Sequence, residues 1–202
     1  MRPPPQIDGV RPLSRPGDAR TEAAAAAWSL GELAGRLCEL GGGAALTLAF
    51  RLVLDAQERG EPAAWLTGRE SSFFPPDAEE GGVDLDALVV VRAPDAAAAA
   101  RAADQLARSG AFGLLVLDVG AQPIAMPLLA RLLGLAQKHD IAILFLADAP
   151  LGSLISLRGC CERRRRDGDD GLYDCELRVI KDKRRAPGWT FQEVCRGPAG
   201  LR

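Results

Sequence analysis

Several residue types that carry common chemistry are scarce in this 202-residue chain. It has one histidine and five cysteines without a C-x-x-C pair, so the ligand spacing of a structural metal site is absent. An odd number of cysteines argues against a disulfide framework and favours reduced, mostly buried thiols. The vicinal pair Cys160 and Cys161 is a poor redox candidate, because adjacent residues of a strand face opposite sides. We predict no metal and no cofactor.

The chain also lacks a strong net charge and long apolar runs. A formal net charge of -2 does not indicate a general polyanion binder. No apolar run is long enough to cross a bilayer, and three prolines, Pro3 to Pro5, stand where a signal peptide would begin. We therefore expect a cytoplasmic protein without membrane contact. Its length, with 48% apolar and 26% charged residues, is typical of one soluble domain.

The order of predicted elements indicates an α/β fold. Residues 1–20 are rich in proline, arginine and glycine, which predicts a flexible N-terminal tail before a single domain over residues 21–202. Helices are predicted over residues 21–33, 44–59, 95–109 and 127–139, and strands over 37–40, 63–66, 88–91, 112–119 and 141–146. Continuously apolar strands that alternate with helices predict a mostly parallel sheet covered on both faces. Residues 67–82 read as a loop.

The last quarter of the chain has a different pattern. Two β-capable segments, 154–165 and 173–183, flank the sequence DGDDG, and such Asp-Gly turns favour an antiparallel hairpin. A final strand is predicted over residues 190–195. The predicted fold is thus a central, mostly parallel sheet flanked by helices, with a C-terminal antiparallel β-hairpin extension.

The stretch GRLCELGGGAALTLAFRLVL, residues 35–54, has the frame of an anion site. A strand, the glycines Gly41, Gly42 and Gly43, and a helix N-terminus bring backbone N–H groups and the helix dipole together. A working P-loop has the form G-x-x-x-x-G-K-[ST], whose lysine and hydroxyl hold phosphate and Mg²⁺. Here the turn is too short, alanines follow the glycines, and the first lysine in the chain is Lys138. We predict a degenerate loop without nucleotide and no enzymatic activity. The alternative is a cradle that still holds phosphate, with Arg36 in place of the lysine.

The order of motifs resembles the core ATPase domain of the RecA recombinases, over roughly residues 28–195. GRLCEL followed by LTLAFRLV resembles the strand and helix around that family's P-loop. LARSGAF runs into LLVLD, which resembles the segment with the Walker B aspartate, here Asp118. Glu70, followed by GVDLDAL, falls at the position of the catalytic glutamate. VIKDKRRAPG resembles the strand whose two lysines, here Lys181 and Lys183, approach a neighbouring subunit's nucleotide.

The chain lacks several residues on which the activity of the RecA recombinases depends. The Walker A lysine and hydroxyl are absent, Ala147-Asp148 replaces a nucleotide-sensing glutamine, and the first DNA-binding loop is missing after Asp118. Such a shortened homologue is similar to the ImuA family, the accessory proteins of bacterial translesion-synthesis mutasomes.

The ImuA resemblance implies a non-catalytic, SOS-induced role in DNA repair and mutagenesis. Its expected partners are an ImuB-type Y-family polymerase-like subunit, RecA and an error-prone C-family polymerase. Glu70 and Asp118 are then vestigial. Two alternatives stay open: a SulA-like cell-division inhibitor, or a residual RecA-like DNA-dependent ATPase.

Two groups of residues are candidate contact surfaces. DNA-binding candidates are Arg158, Arg163, Arg164, Arg165 and Arg166. Partner-interface candidates are Lys181, Lys183, Arg184, Arg185, Phe73 and Phe74. For the arginine run, the structural alternative is a solvated hairpin tip that pairs with neighbouring aspartates. For the two phenylalanines, it is a loop anchored on the core.

Overall fold

The computed structural model describes residues 28–68, 73–166 and 171–196. These residues contain five helices: α1 (Leu30–Leu33), α2 (Ala45–Glu58), α3 (Pro75–Glu80), α4 (Ala96–Ser109) and α5 (Met126–His139). They also contain eight strands: β1 (Arg36–Gly41), β2 (Ala63–Thr67), β3 (Leu88–Arg92), β4 (Leu114–Gly120), β5 (Ala142–Ala147), β6 (Leu157–Arg165), β7 (Leu172–Asp182) and β8 (Thr190–Arg196). The predicted tail 1–20, most of the predicted helix 21–33 and the candidate Glu70 lie outside the described residues.

All eight described strands belong to one sheet, in the order β3-β2-β4-β5-β1-β6-β7-β8. The first six strands of the chain run parallel to one another, whereas β7 pairs antiparallel with both β6 and β8. The predicted fold class is therefore confirmed.

Helices cover the two faces of the central strands. On one face α1 and α2 pack against alternate strand residues such as Leu40 and Trp65. On the other face α4 and α5 pack against the intervening residues, such as Leu37 and Leu66. This alternation follows from the two-residue period of a strand, and it places the described core in two layers around the sheet.

Local sequence explains the ends of α4. The carboxylate of Asp95 accepts a hydrogen bond from the Ala98 N–H at 2.7 Å, which caps the first turn. Gly110 ends the helix with φ of 67°, a conformation that glycine adopts readily. Between these ends the small alanines face the sheet, so the helix lies close against it.

The structure corrects three sequence-based expectations. The predicted loop 67–82 contains α3, which begins at Pro75 because a proline needs no N–H partner in the first turn. Strand β6 begins at Leu157 rather than residue 154, since Leu154 packs with the α4–α5 layer. The sheet is not covered everywhere: Val89 and Val90 of the edge strand β3 are 44% and 39% exposed.

Candidate functional site

A cavity of about 680 Å³ opens at the carboxyl ends of β1, β4 and β5. In parallel α/β sheets this is the edge at which ligands bind. Helix α2 and helix α3 form part of the wall, and the last residues of β8 form another part. The glycine turn Gly41–Gly43 and Asp118 both line this cavity.

The glycine turn packs tightly against neighbouring strands. Gly42 has φ of 102°, and a Cβ atom there would overlap the carbonyl oxygen of Cys161 in β6. A Cβ on Gly41 would lie 2.8 Å from the carbonyl oxygen of Ala147 in β5. The turn is thus held between β5 and β6, and glycine is required by contact as well as by φ.

Two amides at the start of α2 already donate to protein carbonyls. The Ala44 N–H donates to Cys161 O at 3.5 Å, and the Ala45 N–H donates to Gly42 O at 3.1 Å. In a phosphate cradle such N–H groups point at the ligand. Here both N–H groups already donate to carbonyl oxygens of the protein, so they are not available to a bound phosphate.

Charges around the cavity disfavour a polyanion. The carboxylates that line it are Asp77, Glu80, Asp118, Asp148 and Glu193, and the cations are Arg51, Arg163 and Arg196. Arg51 lies 3.5 Å from the Glu193 carboxylate, and Arg163 lies over the Tyr173 ring at 4.9 Å. Burial raises the pKa of Glu193, and the nearby Arg51 opposes that shift. No lysine lines the cavity among the described residues.

Asp118 lies near the end of β4, opposite Thr67 of β2 and Leu146 of β5. Its side chain is half-buried and lines the cavity. Asp148, just after β5, is exposed and lines it too, and its N–H donates to Gly120 O at 3.0 Å. Asp118 and Asp148 therefore both lie beside the cavity, at the carboxyl edge of the sheet.

Arg36 does not replace the missing lysine. It lies at the start of β1, away from the glycine turn, and its side chain is 3% exposed. Its guanidinium donates to Asp182 Oδ1 at 2.5 Å and to Ser156 Oγ at 2.9 Å. The alternative in which Arg36 approaches a phosphate at Gly41–Gly43 is wrong, because its guanidinium is buried in an ion pair with Asp182 of β7.

Asp182 is a fully buried carboxylate with several donors. Burial alone would raise the pKa of Asp182, but hydrogen bonds from the Arg184 N–H, Arg36 and the Trp189 indole outweigh it and leave that pKa below its ordinary value. A second charged pair joins Glu39 of β1 to Arg158 of β6 at 2.7 Å. The sequence signal for both pairs is the presence of two charged residues in the otherwise apolar strand RLCELG, a pattern that indicates buried ion pairs.

The five DNA-binding candidates do not form one surface. Arg158 is 21% exposed and bound to Glu39, whereas residues 163–166 are exposed at the far end of β6. In that run Arg164 pairs with Glu162 at 2.8 Å and Arg166 pairs with Asp174 at 3.3 Å. The proposed pairing with residues 167, 169 and 170 lies outside the described residues.

The basic residues at the end of β7 and just after it contact main-chain carbonyls and one carboxylate. Lys181 and Lys183 donate to Ser153 O at 3.3 and 2.7 Å, and burial together with Lys183 and Arg158 lowers the pKa of Lys181. Arg184 donates to Glu32 O and Ala34 O at 3.1 and 2.9 Å, and Arg185 pairs with the Glu32 carboxylate at 2.8 Å. These side chains tie the end of β7 to α1 and to the loop before β6.

The two phenylalanines differ in exposure. Phe73 is 8% exposed, and its ring centroid lies 5.0 Å from that of Trp65 and 5.9 Å from that of Phe50. Phe74 is 56% exposed. Phe73 therefore anchors the loop on the core, and Phe74 alone of the pair offers an aromatic surface.

The described part of the chain has neither a metal-binding cluster nor a membrane-spanning helix. It contains no group of three or more histidine, cysteine or acidic residues able to hold a metal ion. No helix among those described is long and apolar enough to cross a bilayer.

The sheet order and the cavity at its carboxyl edge define an α/β protein with a RecA-like fold. The crystal structure of the RadB recombinase is similar to it, with a TM-score of 0.57 and 19% identity, and the match covers 79% of this chain and 86% of that chain.

Sequence comparison adds a local relationship. The chain is 39% identical to the RecA protein of Bifidobacterium breve over 72 residues, which is 36% of this chain and 18% of that protein. It is 40% identical to the RecA protein of Amycolatopsis mediterranei (strain U-32) over 72 residues, 36% of this chain and 20% of that protein. The chain thus matches about a fifth of these RecA proteins' length. No protein-family model matches it. Fold and local similarity together support a relationship to the RecA-like superfamily.

Proposed function

We propose that this chain is a non-catalytic, RecA-like accessory protein of the SOS-induced translesion-synthesis mutasome, of the ImuA type. It acts by binding an ImuB-type Y-family polymerase-like subunit, with RecA and an error-prone C-family polymerase as further partners. The observation that carries this proposal is the glycine turn, which is closed against β5 and β6 while the surrounding core is retained.

A phosphate at this turn would lack three kinds of support. The Ala44 and Ala45 amides donate within the protein, Arg36 is buried in an ion pair, and five carboxylates line the cavity. Phosphoryl transfer depends almost entirely on positioning and on compensation of charge. Asp118 then has no positioned substrate, and a role through protein contacts accounts better for a complete α/β core around a loop that lacks phosphate-binding groups.

Calorimetry with Mg-ATP tests the non-catalytic part. A RecA protein in the same buffer serves as the positive control. We expect no binding heat and no thermal shift for this chain, because a ligand that binds only the folded state must raise Tm. A saturable heat, or a rise in Tm with ATP concentration, would make the protein a nucleotide binder and overturn the proposal.

A binding assay with the purified ImuB-type subunit tests the partner. The chain is immobilised, and capture of that subunit is compared for the wild type, Phe74→Ala and Val89→Ala. Phe74 is an exposed aromatic residue just before α3, whereas Val89 is an exposed apolar residue on the β3 edge. We expect capture by the wild type, and loss of capture in Phe74→Ala with retention in Val89→Ala. No capture by the wild type at micromolar concentrations contradicts the proposed partner.

DNA binding through residues 163–166 is a second candidate function. All four arginines are exposed at one end of β6. If they contact phosphates, binding falls steeply with salt, and replacing them by serine flattens that dependence. Fluorescence anisotropy with single-stranded DNA at several salt concentrations measures both slopes. Equal slopes for wild type and variant would exclude this surface.

A further inference from the structure

Three cysteines that are far apart in the sequence lie on one face of the antiparallel extension. Cys161 of β6 is paired in register with Leu177, Cys175 of β7 with Glu193, and Cys195 of β8 with Tyr173. Because residues paired across a sheet and residues two apart along a strand share a face, all three thiols face helix α2. Cys160, by contrast, faces the other side.

Two of these thiols interact directly. Cys175 and Cys195 are diagonal neighbours across β7 and β8, and the Cys195 thiol donates a hydrogen bond to the Cys175 sulfur. That hydrogen bond lowers the pKa of Cys175 and raises the pKa of Cys195. Burial raises the pKa of Cys161 to about 12, so Cys161 stays protonated although it lies on the same face. The Cys175–Cys195 pair therefore loses one proton more readily than Cys161 does.

The two thiols also differ in access. Cys175 is 0% exposed, whereas Cys195 is half-buried and lines the cavity. A small reagent that enters the cavity meets the Cys195 sulfur first. Cys175 has no exposed surface and does not line this cavity, so we expect it to react with a sulfur that is already attached to its neighbour Cys195.

We propose that Cys175 and Cys195 are a redox-active pair that a low-molecular-weight disulfide oxidises to a cross-strand disulfide between β7 and β8. After the pair has released one proton to solvent, the remaining proton moves to Cys175. The Cys195 thiolate then attacks one sulfur of the reagent, which breaks the reagent S–S bond and releases its first thiolate. Cys175 gives its proton to that thiolate and attacks the Cys195 sulfur, releasing the second. Two protein thiols are oxidised to one disulfide, and the reagent disulfide is reduced to two thiols.

Oxidised glutathione and peptide mapping of the intact chain test this inference. After treatment, free thiols are blocked with N-ethylmaleimide and the protein is digested with trypsin without reduction. Cys175 lies in the tryptic peptide 167–178, Cys195 in 186–196, and Cys160 with Cys161 in 159–163. We expect peptides 167–178 and 186–196 to be joined, and to separate on reduction.

Single variants show the order of the steps. In Cys175→Ser, glutathione is expected to remain on Cys195, because no resolving thiol is present. In Cys195→Ser, peptide 167–178 is expected to stay unmodified, because Cys175 is buried. The oxidised wild type should have a higher Tm than the reduced wild type, and this increase should be absent in Cys195→Ser.

Three results would overturn the proposal. They are free thiols on both peptides after treatment, a link between Cys161 and Cys175, and stable glutathione on Cys195 in the wild type. These readouts need no nucleotide, DNA or partner, so they are independent of the proposed accessory function.

Discussion

Replacement of Arg36 by alanine is expected to destabilise the fold far more than loss of an exposed ion pair. Arg36 is 3% exposed, and it donates to Asp182 and Ser156. The Asp182 side chain is fully buried and accepts two further hydrogen bonds, from the Arg184 N–H at 2.9 Å and the Trp189 indole at 3.2 Å. The alanine variant leaves this carboxylate buried without its cation.

The expected magnitude follows from that burial. Removing one partner of a buried ion pair costs about 3–5 kcal/mol. The two remaining donors keep part of the hydrogen bonding of Asp182, so we expect the lower end, about 3 kcal/mol. With a urea m-value of about 2 kcal/mol/M, the unfolding midpoint should fall by about 1.5 M.

Urea unfolding followed by circular dichroism measures this change, with Arg185→Ala as the matched control. Arg185 pairs with Glu32, but both side chains are well exposed, so its loss should cost under about 1 kcal/mol. In the double variant Arg36→Met with Asp182→Leu, both charges are gone, and part of the stability should return. Equal midpoints for the two alanine variants, or a double variant less stable than Arg36→Ala, would refute this reasoning.

Three further predictions concern the turn, the buried acid and the aromatic loop. Gly42→Ala should cost about 2 kcal/mol or more, because it places a Cβ against a carbonyl oxygen at positive φ, whereas Gly43→Ala has open space and should change Tm little. Because the folded pKa of Asp182 lies below 3.8, its contribution is present above pH 3.8 and is lost as pH falls through the folded value. Asp182→Asn should therefore flatten the acid dependence of the urea midpoint. Phe73→Ala should cost about 3 kcal/mol and Phe74→Ala little, as measured by thermal unfolding.

The sequence predicted the sheet well because its signals are local. Apolar strands and the helix predicted over residues 95–109 are each encoded by a few neighbouring residues, and the structure has that helix at Ala96–Ser109. The short helix α3 was missed because six residues show little periodicity, and two prolines read as loop signals.

Contacts between segments that are distant in the sequence could not be predicted from local sequence patterns. The burial of Arg36 against Asp182 depends on the pairing of β1 with β6 and of β6 with β7. The approach of Cys175 to Cys195 depends in the same way on the register of β7 and β8. The sequence shows that Cys160 and Cys161 are adjacent. It does not show that Cys175 and Cys195 are neighbours, because that depends on the pairing of β7 with β8.

Three contacts join β1 and the glycine turn after it to the C-terminal strands β6 and β7. Arg36 joins β1 to β7, Glu39 joins it to β6, and the glycine turn rests on Cys161. A phosphate loop that is ordered by its ligand gains stability when the ligand binds. Here protein groups already supply the donors, acceptors and contacts along this strand and turn. Under the proposed accessory function, nucleotide would have little left to stabilise at this strand and turn, and binding would depend on the surfaces of the fold.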